Sequence, residues 1–394
     1  MKTIFKHIQG DKTIWAIVAI LAIFSFMPLY SASTNLVYVI GNGSTFGYLI
    51  KHAVLLILGF VIIYGVHKIP YRYFSGGSIF MLPVVIILLI VTLAQGTTID
   101  GSNASRWIRI GGVGFQTSTL ASLVLGVYVA RYLAKNKEKN FVFKESLWQL
   151  WLPVTIILML ILPANFSTTA IIFVMILMMT FIGGYPIKYI SIIVAAGIVM
   201  LLFFILIAKA FPDAMPNRVE TWQSRIENFS QDDGKESYQV EKAKIAIATG
   251  GTIGVGPGKS VQKNFLPQST SDFIFAIIIE EYGIVGGLVI VCIYFLLLFR
   301  IFVVIRNTTT IFGILLVLGV GLPIIFQATI NMAVATNLFP VTGQTLPLIS
   351  SGGTSIWMTC FALGIILSVS ASKETTEEEI LNDNPLDILD ETNA

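Results

Sequence analysis

The chain has 394 residues, of which 55% are hydrophobic and only 12% charged, and its mean hydropathy is +0.82. That composition excludes an ordinary soluble enzyme and predicts an all-α polytopic membrane protein. A net charge of +3 without any arginine-rich tract argues against a nucleic-acid partner, and two cysteines in apolar runs with only three histidines argue against a disulfide framework or a zinc site.

A basic start (Lys2, Lys6, Lys12) leads into an apolar run from Thr13 to Tyr30. The run is longer than the core of a signal peptide and lacks a convincing cleavage site, so it is expected to persist as the first membrane helix. Further runs long enough to cross about 30 Å of hydrocarbon fall near 46–66, 78–97, 116–134, 149–165, 168–184, 187–209, 271–303, 309–333 and 353–371. About ten transmembrane helices follow, with both ends on one side. The loops at 67–76 and 135–147 are basic and the short loops opposite are almost uncharged, so both termini are expected in the cytoplasm. Residues 1–371 then form the transmembrane domain, with a large external loop at 210–270 between helices 7 and 8. Residues 372–394 form an acidic cytoplasmic tail with little to bury, expected to be disordered.

Polar residues gather in the external loops rather than at helix centres. In DGSNASRWIRIGGVGFQTST (100–119), Trp107 lies between Arg106 and Arg109. Guanidinium groups there suit a phosphate or pyrophosphate headgroup, but Arg and Trp also serve simply to anchor a helix end at the interface. Both readings stand. In QVEKAKIAIATGGTIGVGPGKSVQKNF (239–265), GVGPGKS is not a nucleotide-binding loop, because Ile253 occupies the position of the first Walker glycine and no strand precedes it. What remains is either a glycine turn whose N–H groups and lysines, Lys259 and Lys263 among them, meet an anion, or a plain surface loop.

In LPQSTSDFIFAIIIEEYGIVGG (266–287), one aspartate opens an apolar run and two glutamates sit inside it. If Arg300 marks the inner boundary, about 20 residues bring the outer one to Glu280. Asp272 then lies roughly 12 Å further out and borders an external cavity. The alternative is a helix broken at Gly283, Gly286 and Gly287. The bland role for Asp272 is an N-cap, with Thr270 and Ser271 as rivals. The bland role for Glu280 and Glu281 is structural contact with Arg or Lys of the external loops. In NLFPVTGQTLPLISSGGTS (337–355), prolines and glycines preclude a regular helix although apolar residues are frequent. That pattern reads as a re-entrant or cavity-lining segment packed against protein, with an interfacial turn as the alternative.

Three of these blocks, GSNASRWIRIGGVGFQTS, ATGGTIGVGPGKSVQKNFLPQSTSDFIFAIIIEEYGIVGG and NLFPVTGQTLPLISSGGTS, occur in the order and the external positions found in the SEDS family of bacterial cell-wall glycosyltransferases, the FtsW/RodA/SpoVE group. The chain resembles that family over nearly all ten spans. VTGQTLPLISSGGTS, and a VQKNFLPQ unlike the elongation-type pattern, resemble the division-type FtsW members. The resemblance implies an inverting glycosyltransferase of the bacterial inner membrane that polymerises lipid II. It implies Asp272 as the catalytic carboxylate, and substrate contacts from Arg106, Arg109, Lys259, Lys263, Gln116 and Ser350. Glu280, Glu281 and Trp107 fall to structural roles. No organic cofactor is implied; a divalent cation is compatible. Implied partners are a class B penicillin-binding transpeptidase and other divisome membrane proteins. Two departures from the family pattern remove other acids: Thr119 and Ser122 stand where many members carry an acid and a lysine, and Asn165 stands at another acidic position. The competing readings are a flippase for the lipid-linked precursor and a non-catalytic divisome scaffold.

Overall fold

The computed structural model describes residues 9–40, 44–95, 107–110, 113–137, 141–210 and 238–382. The described helices are α1 (Lys12–Ile40), α2 (Thr45–Val66), α3 (Arg72–Gln95), α4 (Thr117–Asn136), α5 (Phe143–Ile161), α6 (Phe166–Ile182), α7 (Ile187–Ala210), α8 (Tyr238–Gly250), α9 (Ile274–Asn307), α10 (Ile311–Ala335) and α11 (Thr354–Asn382). Nine of them are long and apolar enough to cross a membrane, and α6 is a shorter apolar helix. Counting α6, whose 17 residues reach the lower limit of about 17 for a crossing, the described helices match the ten expected spans, and the chain is a multi-pass membrane protein. An even number of crossings places the start of α1 and the end of the α11 span on one side. The segments 107–116, 238–273 and 336–353 then share the other side.

Local chemistry sets several of the helix ends. Asp11 Oδ1 accepts from the N–H groups of Thr13 at 2.9 Å and Ile14 at 3.1 Å, capping α1. Its other oxygen pairs with Arg300 of α9. Arg300 therefore ties two helices together at the end opposite the polar loops. Asn165 and Thr310 cap α6 and α10 through Thr168 N–H at 3.2 Å and Gly313 N–H at 3.2 Å. The third span begins at Arg72 rather than 78, and the fifth covers Phe143–Ile161 rather than 149–165. A π-helical turn at Leu147–Trp151 precedes Pro153 in α5, where the missing proline N–H loosens the ladder.

The most buried helices are α10 and α11, which pack with α2, α4 and α9. Backbones of α4 and α10 meet at Gly126 and Gly319, where a Cβ on Gly126 would lie 2.6 Å from the Gly319 carbonyl oxygen. Small residues permit such contact, and dispersion rather than burial from water holds membrane helices together. By contrast, none of the apolar window of α7 is buried among the described residues, which places it at the edge of the described bundle.

Two features differ from expectation. Trp107–Ile110 and Val113–Gln116 pair as an antiparallel hairpin, with Trp107 opposite Gln116 and Arg109 opposite Gly114. The glycine pair and the alternating apolar residues of WIRIGGVGFQ are an ordinary hairpin pattern. The second is α11, which continues into the acidic tail as far as Asn382 instead of ending near 371, consistent with the helix propensity of its glutamates. The rest of the tail, and 211–237 of the long loop, lie outside the described residues.

Candidate functional site

At the end of the bundle that carries the polar loops, an open cavity of about 330 Å³ is walled by five parts of the chain, the first being Leu29 and Ser33 of α1. Tyr48, Lys51 and His52 come from α2, Trp107, Gly114 and Gln116 from the hairpin, Gln268 and Thr270–Asp272 from the segment before α9, and Gly343, Thr345 and Ser351–Gly353 from the segment after α10. Among the described lining residues, Asp272 is the one carboxylate and Lys51 the one lysine.

Asp272 is partly exposed and is not a helix cap: α9 starts at Ile274, and its N-cap, Phe273, makes no side-chain capping bond. Its position is fixed through the backbone. The N–H groups of Ser271 and Asp272 donate to Gln268 O at 3.0 and 3.2 Å, with Gln268 itself in a left-handed conformation at φ 56°. Asn331, buried in α10, donates through Nδ2 to Asp272 O at 2.8 Å and to Gln344 O at 2.7 Å. Ser350 Oγ donates to Ser271 O at 2.6 Å, and Ser351 N–H to Thr270 O at 2.9 Å. Three consecutive carbonyls are thus gripped, which holds the carboxylate at the cavity wall.

The same segment treats its glutamates differently. Glu280 and Glu281 are 0% and 1% exposed. The Glu280 carboxylate accepts from Ser260 Oγ–H and from the N–H groups of Val261 at 2.9 Å and Gln262 at 3.2 Å. Glu281 accepts from Ser31 Oγ–H of α1, and Lys263 Nζ donates to Ser31 Oγ at 3.2 Å. The expected partners were Arg or Lys of the loops; most of the donors are hydroxyl and backbone groups instead. The anions met by the end of the glycine-rich turn and the residues after it are the protein's own Glu280 and Glu281.

A break in α9 makes this contact possible. Gly283 sits at φ 70°, ψ −175°, which interrupts the helix ladder and would expose backbone groups near hydrocarbon. The turn after α8 satisfies them. Val255 and Gly256 donate N–H groups to Glu280 O and Glu281 O, both at 3.0 Å, while Ile284 donates to Gly251 O at 2.9 Å. A Cβ on Gly254 or Gly283 would collide with the opposing backbone. The glycines permit the approach, and the loop completes the helix.

The residues singled out from the sequence separate accordingly. Asp272, Gln116 and Trp107 come together on the cavity. Ser350 is buried and is not a lining residue: Oγ accepts from Leu346 N–H at 2.7 Å while donating to Ser271 O, so its neighbour Ser351 takes the place at the wall. Lys259 is exposed on the loop, and Lys263 bonds to Gly258 O at 2.9 Å and Ser31; neither lines the cavity. Arg106 and the Arg109 side chain lie outside the described residues. The segment 336–353 packs against protein as expected, burying Leu346, Leu348 and Ile349 although Leu338 and Phe339 are exposed. Thr119 and Ser122 face a small hydroxyl-rich cavity of about 80 Å³ further into the bundle. Lys51 and His52 went unnoticed in the sequence, although two ionisable residues inside an apolar span are themselves a signal of function. Among the described residues, no group of three or more His, Cys, Asp or Glu is placed to hold a metal ion.

The pattern matches a known family. Residues 11–375 match the family described as cell cycle protein, FtsW/RodA/SpoVE. The chain belongs to this family. A relative from Nitrosomonas europaea, named probable peptidoglycan glycosyltransferase FtsW, is 31% identical over 365 residues, covering 91% of this chain and 92% of its own. Another of the same name from Hydrogenovibrio crunogenus is 33% identical over 329 residues, covering 82% of each. Among solved structures, a chain of a peptidoglycan synthase complex that coordinates polymerization and crosslinking superposes with a TM-score of 0.69 at 23% identity, covering 92% of this chain and 98% of that one. The rod shape determining protein RodA of Thermus thermophilus gives 0.64 at 23% identity, covering 92% and 97%. At that identity the two structures establish the fold alone.

Proposed function

We propose that this protein is a peptidoglycan glycosyltransferase of the bacterial inner membrane that polymerises lipid II at the outer face, during septal division. The observation that carries the proposal is a cavity on the polar-loop side whose one described carboxylate, Asp272, is held by its own backbone. The names of the sequence relatives, FtsW glycosyltransferases, support the reaction class and the division role. In this reading the polar-loop side is external, and the loop at 210–270 and the tail at 372–394 lie outside and inside the cell respectively.

The chemistry needs one base and compensation for a leaving pyrophosphate. The acceptor sugar hydroxyl attacks the anomeric carbon of the donor; Asp272 takes the hydroxyl proton as the new C–O bond forms on the opposite face. The bond from the anomeric carbon to the pyrophosphate oxygen breaks, and its electron pair leaves on the lipid pyrophosphate. General base catalysis of this kind contributes about 10²–10⁴-fold. Lys51 on the cavity wall, with Arg106 and Arg109 of the hairpin block, supplies positive charge for the departing anion. A divalent cation held mainly by the substrate pyrophosphate would be met on the protein side by the second carboxylate oxygen of Asp272, the one described carboxylate of the cavity, and would supply charge neutralisation. The partner is a class B penicillin-binding transpeptidase that crosslinks the product, together with other divisome membrane proteins. The association of polymerization with crosslinking in the structurally similar complex favours that pairing.

The test is polymerisation of lipid II by the purified full-length protein with its transpeptidase, comparing wild type with Asp272→Asn and Asp272→Ala, each with and without chelator. Glycan strands from wild type, and a loss of at least about 100-fold in folded variants, support the proposal. Equal polymer from Asp272→Ala removes Asp272 from the chemistry. Translocation of lipid II in sealed vesicles without polymer assigns the protein to transport.

A further inference from the structure

His52 lines the same cavity and is itself 2% exposed. Its ring is held on two sides. Phe26 of α1 packs against it in an edge-on arrangement with centroids 5.4 Å apart, and Nε2 lies 2.8 Å from Ser25 Oγ. Ser25 Oγ–H is already committed to Ala22 O at 2.6 Å. A hydroxyl has a single proton to give, so Ser25 is the acceptor and His52 Nε2 carries the ring proton. In the neutral ring the lone pair is then at Nδ1. Among the described residues, Nδ1 is buried and has no hydrogen-bond partner. Buried polar atoms almost always find partners, and an exception calls for a missing one.

We infer that His52 Nδ1 is a saccharide-binding atom, accepting a hydrogen bond from a hydroxyl or acetamido N–H of a sugar seated in the cavity beside Asp272. The inference rests on the reading of the cavity as a glycan site and adds a positioning residue to it. Ser25 fixes the tautomer and Phe26 fixes the ring at the wall of that cavity. Bonds to hydroxyl or N–H groups of the substrate are where discrimination among sugars is greatest, because an analogue without the donor leaves the acceptor buried and unpaired.

The two amide variants divide the ring between them. His52→Asn keeps an acceptor near the Nδ1 position but gives up the reach to Ser25; His52→Gln keeps that reach and gives up the Nδ1 acceptor. Both are made in the full-length protein and measured for KM and kcat with lipid II, for Kd with lipid II by intrinsic fluorescence, and for Tm. The inference predicts a KM and Kd raised at least tenfold in His52→Gln at a wild-type Tm, with His52→Asn within about threefold of wild type. Equal behaviour of the two variants, or a wild-type Kd in His52→Gln, overturns it and leaves the ring as a core spacer. Absence of polymer from wild type sinks the polymerase reading alone, because the Kd comparison still decides whether His52 binds the saccharide.

Discussion

Within one stretch of ten residues the protein uses carboxylates in two opposite ways. Glu280 and Glu281 are buried and receive donors from a loop and from α1, whereas Asp272 is partly exposed on a cavity and is gripped through its carbonyl. Acids near hydrocarbon are costly unless paired. The glutamates meet that cost by organising the loop that repairs the Gly283 break. Asp272 avoids it by lying outside the helix. An acid buried among the donors of a loop is architecture; an acid held by its main chain and partly exposed on a cavity wall is placed where a substrate can meet it.

The largest expected effect breaks the comparison from the Asp272 side. Asp272→Asn is isosteric and leaves every main-chain bond in place, so Tm stays at the wild-type value while kcat falls about 10²–10⁴-fold. A fall in Tm together with kcat would mean that Asp272 is structural too. Gly283→Ala works from the other side. At φ 70°, ψ −175° Gly283 occupies a region open essentially only to glycine, where another residue costs about 1–3 kcal/mol, and the added Cβ would run into the Thr252 carbonyl. The expected outcome is a protein that protease digests between α8 and α9 and that yields little folded material; a wild-type Tm would show that the loop is not pinned to the break.

Glu280 gives a graded result. Glu280→Ala removes an acceptor from Ser260 and two backbone N–H groups, and hydrogen bonds to charged groups contribute about 1.5–3 kcal/mol each. Because such terms are not additive, a loss of about 3–4 kcal/mol is expected. Glu280→Gln keeps one acceptor oxygen for the two N–H groups and should lose about half of that. The measurement is Tm in detergent alongside kcat of the surviving folded fraction. Unchanged stability with lost turnover would move Glu280 into the chemistry.

What was legible in the sequence follows from how local each signal is. Ten spans could be read because apolar runs carry their own length requirement, and Asp272 could be set apart from the glutamates because it opens the apolar run that they sit inside; the rise counted from Arg300 assumes an unbroken helix, and the break at Gly283 is the alternative reading. The pairing of GTIGVG with the Gly283 break was not legible, because it joins residues about thirty apart through main-chain atoms that any sequence possesses. Lysines of the glycine-rich loop looked suited to a pyrophosphate by charge, yet Lys263 is held by Ser31 and the Gly258 carbonyl. The hairpin at 107–116 was concealed by its own glycines, which read equally well as a loop. His52 and Lys51 carry a signal of their own, as ionisable residues within the apolar second span.

The smallest effect concerns two adjacent serines and sharpens the same distinction. Ser350 Oγ bridges Leu346 N–H and Ser271 O in the interior, so Ser350→Ala strands two buried backbone groups, at about 1–3 kcal/mol. Ser351 keeps its N–H bond to Thr270 O when its hydroxyl is removed, since that hydroxyl makes only a parallel contact at 3.1 Å. Ser351→Ala should therefore cost less than about 1 kcal/mol and leave Tm nearly unchanged. The kinetic order is reversed, because Ser351 lines the cavity and Ser350 does not: KM for lipid II rises in Ser351→Ala and stays at the wild-type value in folded Ser350→Ala. If Ser350→Ala instead raised KM at constant Tm, the serine chosen from the sequence would be the substrate contact after all, and the division between the buried clamp and the cavity wall would have to be redrawn one residue earlier.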